Sequence, residues 1–320
     1  MTLNLKAKIY NDEDAAREHL EALQWPEGPI CPHCGVVNEA TLLAGKSTRP
    51  GVYKCRPCQK PFSVTVGTVF ERSKVPLTKW LLATELLTSS KKGISAHQVH
   101  RMLDVTYKTA WFMMHRIREA MAPAAGSEPP LGGSGKVVEA DEAYIGKKDG
   151  KRKKPGAGGY AHKRTVLSLV ERGGKIRSFK LGGNTRGEIA AVVRANVSPE
   201  SVLHTDGSKI YHGMAATAGH ESVDHGKEYV RASTIANIGG IEGWDKVHTN
   251  TLEGFFSVFK RGMVGTYQHC GEQHMQRYLA EFDFRMNHRA KLGFDDTARA
   301  AKVLEGINGK RLTYRRTNAA

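Results

Sequence analysis

The feature that most constrains this chain is a pair of C-x-x-C motifs, Cys31-Pro-His-Cys34 and Cys55-Arg-Pro-Cys58, with 20 residues between them. Two such pairs can present four thiolates tetrahedrally to one Zn²⁺, and the spacing is that of a zinc ribbon. Gly35 suits the tight turn of the first knuckle, and short β stretches at Tyr53-Lys54 and residues 62–66 frame the second. A single C-x-x-C could be a redox pair, but two at this distance favour a metal. Cys31, Cys34, Cys55 and Cys58 leave no open position for a catalytic water, so the Zn²⁺ is expected to be structural. Cys270 has no partner at metal spacing and is expected to be a packing residue.

Five cysteines in a chain of 320 residues argue against a disulfide framework. Lys and Arg number 48 against 32 Asp and Glu, a net charge of +16, which favours a polyanionic partner. A composition 40% hydrophobic and 25% charged is ordinary for a globular protein and excludes wholesale disorder. No apolar run approaches the roughly 18–20 residues of a membrane helix, and the N-terminus lacks the apolar core of a signal peptide. The expectation is a soluble, cytoplasmic protein with no membrane partner, facing nucleic acid.

Composition shifts divide the chain. Residues 1–72 hold an N-terminal segment and the ribbon, and residues 73–122 are helical. Residues 123–136, rich in Pro, Gly, Ala and Ser, read as a linker. Strands and helices alternate over residues 137–300, and residues 301–320 form a basic tail.

In the helical part, an apolar helix starts at Pro76 and stops before Gly93. A second opens with Ser95 and Gln98 as a capping box, with Ile94 and Val99 as a hydrophobic staple. After the turn Asp104-Val105-Thr106, a third helix carries Ala110, Met114, Ile117 and Met121 on a core-facing stripe. Its other face shows Lys108, Thr109, Phe112, His115, Arg116 and Glu119. Helix, short turn and basic second helix is the helix-turn-helix pattern, with Lys108, Thr109 and Arg116 as candidate DNA contacts. A three-helix bundle with a solvated basic face would read the same way.

Residues 137–145 read as a strand whose alternation puts Glu139 and Asp141 on one face and Glu142 on the other. Residues 165–170 and 175–181 form a hairpin around Gly173-Gly174, residues 186–196 a helix, and residues 201–207 a short strand ending in Asp206. Three meandering strands, a helix and another strand is the order of an α/β ribonuclease-H-like core. There Asp141 and Asp206 lie side by side. Residues 250–263 form a helix with Leu252, Phe255, Phe256 and Phe259 buried, and Asn250, Glu253, Ser257 and Lys260 on a polar stripe beside them. Glu253 can join the strand-borne pair, and Lys260, two turns on, can hold a phosphate. Three carboxylates suit two Mg²⁺ or Mn²⁺ ions, which can clamp the attacking and leaving oxygens of a phosphodiester. Taken singly, Asp206 could be a turn residue and Glu253 a solvated acid. Glu139, Glu142, Asp224 and Asn250 are rivals for supporting roles.

The segments CPHCG, KCRPC, ADEAYIGKK, HTDGSKIY, HTNTLEGFFSVFKRGMVGTY and RYLAEFDFRMNHR, spanning most of residues 27–290, resemble bacterial insertion-sequence transposases of the DDE superfamily that carry an N-terminal zinc ribbon. The resemblance implies a ribonuclease-H-like domain that cleaves DNA at the ends of a mobile element and joins them to a target. Matched by motif, Asp141 and Asp206 are similar to the family's two aspartates, Glu253 to its third acid and Lys260 to the basic residue that follows. Some relatives use Asn at the third position, which leaves Asn250 as an auxiliary ligand. The implied partners are double-stranded DNA, both terminal inverted repeats and target, and a second copy of the chain, with a nucleoid-associated location. The basic loop Lys147, Lys148, Lys151, Arg152, Lys153 and Lys154 is expected to meet the phosphate backbone. Two other readings stay open: a DNA-binding regulator with an inert second domain, and a non-mobile ribonuclease-H-like nuclease.

Overall fold

The computed structural model describes residues 4–124, 126–148, 150, 160, 162–213, 217–235 and 246–313. The chain forms two compact units, Met1–Pro123 with His288–Ala320, and Ala124–Asn287.

The first unit opens with α1 (Glu13–Gln24), capped by the Asp12 carboxylate, which accepts from the N–H groups of Asp14 and Ala15. A three-stranded antiparallel sheet follows, β1 (Ala40–Leu42), β2 (Tyr53–Cys55) and β3 (Pro61–Phe62), in that order. It is small because its core is small: Phe62 packs with Trp25 and Tyr53 around the buried Cys31 and Cys55. Next come α2 (Leu77–Ser89), α3 (Ala96–Leu103) and α4 (Tyr107–Met121). The N-cap of α2 is Pro76, which has no side-chain acceptor, and Glu13 supplies one from α1, accepting from the N–H groups of Leu77 and Thr78 at 2.9 Å each. The Ser95–Gln98 capping box is formed, and Asp104 turns the chain with φ 47° before Thr106 caps α4.

In the second unit, β4 (Val137–Ile145), β5 (Arg164–Glu171) and β6 (Ile176–Leu181) are an antiparallel meander. Helix α5 (Arg186–Asn196), with a capping box from Thr185 and Glu188, returns the chain to β7 (Val202–Asp206), parallel to β4, and β8 (Gly219–Val223) lies parallel to β7. The sheet order is β6-β5-β4-β7-β8. A separate two-stranded ribbon, β9 (Arg231–Ala232) and β10 (Lys246–Val247), leads to α6 (Asn250–Gly262) and α7 (Met275–Asn287). Both sheet faces are covered. Val138, Ala140, Leu167 and Leu169 meet Ile189 and Val193 of α5 on one side. Ala143, Val166, Val170 and Ile176 meet Leu252, Phe256, Phe259, Leu279 and Phe282 of α6 and α7 on the other, with Cys270 buried among them. Burial on both faces explains why apolar residues of β5 stand side by side, Val166 with Leu167 and Leu169 with Val170, rather than alternating with polar ones.

Two boundaries differ from the sequence expectation. The stretch 123–136 is not a free linker throughout: Leu131 is buried and bridges to Val197, and Glu128 pairs with Lys175 and Arg177. Gly132, at φ +87°, lies so close to Ser201 that a Cβ would stand 2.0 Å from its hydroxyl, so backbone proximity rather than flexibility explains this glycine. At the far end, α8 (Asp296–Glu305) belongs to the first unit, against α1, α2 and α4, not to residues 137–300. The basic tail is anchored as far as it is described. Ile307 is buried, Asn308 bridges to Thr68, and the Lys310 ammonium donates to Ala120 O.

Candidate functional site

Cys31, Cys34, Cys55 and Cys58 converge so that their sulfurs all lie within 4.8 Å of one another. Cys31 and Cys58 are 3.7 Å apart, Cys34 and Cys55 3.6 Å. Four thiolates at about 2.3 Å from a tetrahedral Zn²⁺ stand about 3.8 Å apart, so the quartet is positioned for zinc. Each knuckle closes on a residue in left-handed conformation, Gly35 at φ 76° and Gln59 at φ 59°, whose N–H donates to the carbonyl of Cys31 or Cys55. Burial alone would raise the Cys31 thiol, but the backbone N–H groups of His33 and Cys34 bring it down to about 7. Burial and the neighbouring thiols push Cys55 up to about 12.

The carboxylates are arranged differently. Ala140 pairs with Thr205 in the parallel ladder, so Asp141, midway along β4, and Asp206, the last residue of β7, occupy the next rung. Glu253 lies in the first turn of α6, across the face where Asp141 points. Burial, then the charges of Asp206, Glu142 and Glu253, push the Asp141 carboxyl up to about 8. Burial also raises Asp206, against the opposing pull of the Ser208 N–H and His225. Glu253 Oε1 lies 3.2 Å from His225 Nε2, which is also 3.1 Å from Thr249 Oγ1. Among the described residues, only the cysteine quartet brings three or more ligand side chains within 4.8 Å, so the three carboxylates face one another without closing to that distance. Asn250 is the exposed first residue of α6, and Lys260 is exposed on the same helix, 5.9 Å from the Phe256 ring centre.

Residues 130–287 match the ISXO2-like transposase domain, and residues 11–61 match the transposase zinc-ribbon domain. The chain is 28% identical over 292 residues to a protein in transposable element ISH50 of Halobacterium salinarum, a match spanning 87% of this chain and 92% of that protein. Both domain matches are to transposase domains, one over residues 11–61 and one over residues 130–287 of the same chain.

Within the transposase domain, two of the rival acids have other occupations. Glu139 is fully buried, paired with Arg172 and bonded to the start of α6. Asp224, exposed after β8, accepts from the N–H of Gly226 as a turn residue does. Lys147 is exposed just beyond β4, and the Lys148 ammonium donates to Gly182 O. Lys151, Arg152, Lys153 and Lys154 lie outside the described residues.

The helical face departs from expectation in a telling way. His115 and Arg118 are buried, because α2, α3 and α8 all pack on α4 and leave it little free surface. Arg116 is half-buried, stacked on Phe112 at 4.9 Å and donating to the carbonyls of Glu71 and Leu312. Burial, then Arg311, lowers its pKa. Lys108 and Thr109 stand at the open start of α4, where they line a concavity of about 320 Å³ with Arg72, Ser73 and Lys74. Arg72 and Lys74 were not candidates from the sequence: they lie between the ribbon and α2, in no periodic element, and only packing brings them to α4.

Proposed function

We propose that this chain is a transposase that cleaves element-end DNA and joins it to target DNA by metal-dependent phosphoryl transfer, with Asp141, Asp206 and Glu253 as the divalent-cation ligands. The observation that carries this reading is the placing of Asp141 and Asp206 on neighbouring strands one rung past Ala140 and Thr205, with Glu253 in the first turn of the helix packed on that face; burial and the charges of Asp206, Glu142 and Glu253 raise the Asp141 carboxyl. A cluster of hard oxygen donors that repel one another fits Mg²⁺ or Mn²⁺. When bound, a pair of such ions supplies a nucleophile at neutral pH and stabilises charge on the leaving oxygen. Asn250 is available as an auxiliary ligand, and Lys260 is available to hold the phosphodiester. The order β6-β5-β4-β7-β8, with α5 on one face and α6 and α7 on the other, supports a ribonuclease-H-like core.

Helices α3 and α4, joined through Asp104, support a helix-turn-helix that binds the terminal inverted repeats, with Lys108 and Thr109 at the DNA and Arg72 and Lys74 beside them. Arg116 then serves through packing and backbone bonds as much as through charge. Lys147, Lys148 and the basic residues 151–154 supply backbone affinity. Joining two DNA ends calls for at least two copies of the chain on DNA, and the substrate implies a nucleoid-associated location.

The test uses duplex DNA carrying the element's terminal repeats, with wild type and Asp206→Ala, in Mg²⁺ and in chelator. Nicking at the repeat ends that needs Mg²⁺ and falls at least about 10³-fold in the variant, with DNA binding retained, is expected. Tight binding without cleavage in any divalent metal would instead favour a DNA-binding regulator.

A further inference from the structure

We propose that Glu139 and Glu142, the two acids flanking Asp141 on β4, are positioning residues that tether the elements carrying the other two carboxylates. This rests on the carboxylate site proposed above. Side chains alternate along β4, so Glu139 shares the face of Asp141 and meets α6, while Glu142 points to the face covered by α5.

Glu139 acts as the cap that α6 lacks. The N-cap residue, Thr249, makes no side-chain capping bond. Glu139 Oε2 instead accepts from the N–H groups of Thr251 at 3.1 Å and Leu252 at 3.3 Å, and Oε1 accepts from the Thr251 hydroxyl at 2.9 Å. A carboxylate facing free N–H groups at a helix start is favoured by both the hydrogen bonds and the helix dipole. The charge is balanced by Arg172, whose Nε is 3.2 Å from Oε1 and whose other nitrogens reach His204 Nδ1 and the carbonyls of Lys246 and His248. The lone pairs of Glu139 are therefore committed to protein donors. Glu253 follows Leu252 directly, so the same bonds fix where it stands relative to Asp141.

Glu142 does the same for Asp206. Its Oε2 accepts from the hydroxyl of Tyr211, fully buried, at 2.5 Å. Tyr211 ends the short 3₁₀ turn after β7; its N–H donates to Ser208 O, and Ser208 N–H donates to Asp206 Oδ1 at 3.1 Å. One strand thus carries a central acid for the metal and, on either side, an acid that holds one of its two partners in register.

The experiment follows Mn²⁺ binding to the full, zinc-loaded chain by the electron paramagnetic resonance of free Mn²⁺, with zinc content and circular dichroism as measures of folding. Glu139→Gln and Tyr211→Phe are each expected to weaken Mn²⁺ binding about 10–100-fold while both folding measures stay at wild-type values. Should Glu139→Gln fail to fold, Thr251→Val removes the hydroxyl bond alone and is expected to weaken binding a few-fold. Folded variants that bind Mn²⁺ as wild type does would overturn the tethers and leave the carboxylate site standing. A wild-type chain that binds no Mn²⁺ at millimolar concentration would overturn both.

Discussion

The chain holds two candidate metal centres built on opposite plans. The four thiols of the ribbon come from residues 31–58, in two knuckles that each close on their own backbone bonds, and their sulfurs are at metal spacing. The carboxylates come from β4, β7 and α6, stretched from Asp141 to Glu253, and stand in mutual repulsion. Short loops make convergence entropically cheap, whereas distant segments must be held by tertiary bonds. A structural ion is served by the first plan. A centre that must admit substrate is served by the second, in which the side chains stand apart and are held in place by tertiary bonds.

The largest effect expected from breaking this contrast is at the ribbon. Replacing Cys31 and Cys34 with Ser should drop zinc from about one per chain to near zero and unfold the ribbon, since zinc supplies roughly 10–16 kcal/mol in comparable small domains. The remaining core, Phe62 with Trp25, Tyr53 and a few flanking apolar groups, is too small to stand alone. Metal analysis and proteolysis would read the outcome. Zinc still near one per chain in the double variant would refute the ribbon assignment.

The carboxylates should behave in the opposite sense. Asp141 has a folded value of about 8 against 3.8 for the free side chain, so its share of stability is complete below about pH 4 and is lost as pH rises through 8. With zinc bound and no other divalent cation, Asp141→Asn should therefore stabilise the chain at pH 7, on the order of 2–4 kcal/mol, and the gain should vanish towards pH 4. Saturating Mg²⁺ should reverse the order by stabilising wild type alone. Thermal melts across pH test this; an Asn variant less stable than wild type at pH 7 without Mg²⁺ would show that repulsion at Asp141 is not what sets its energy.

The same contrast governs how much could be read from sequence. The ribbon was legible because its chemistry is local: spacing alone specifies four ligands. The stripe Leu252, Phe255, Phe256 and Phe259 was legible because period 3.6 reports one buried face. Period two correctly put Glu139 with Asp141, but nothing local shows that Glu139 caps a helix starting at Asn250, or that Arg172, in a hairpin turn, balances it. Glu13 capping α2 is the same device in the first unit, equally silent in sequence. The buried His115 and the packed segment around Leu131 were misread for a related reason. Polar or Gly/Pro-rich composition reports average solvation, whereas burial there is decided by α2, α3 and α8 around α4 and by Val197 beside Leu131.

The smallest predicted effect sharpens the comparison within the ribbon itself. Its two knuckles make the same bond with different residues, Gly35 at φ 76° and Gln59 at φ 59°. A side chain in this region costs about 1 kcal/mol, which glycine avoids. No atom lies within 4 Å of a Cβ built on Gly35, so the cost of a side chain there is backbone strain alone. Gly35→Gln should therefore weaken zinc retention by about 1 kcal/mol, roughly fivefold in a chelator competition. Gln59→Gly relieves that strain but frees the unfolded chain and deletes the bond from Gln59 Nε2 to Arg56 O, so it should change retention by less than about 0.5 kcal/mol. If Gly35→Gln held zinc as tightly as wild type, the four Zn–S bonds would be setting the knuckle geometry, and the ribbon would be shaped by its ion rather than prepared for it.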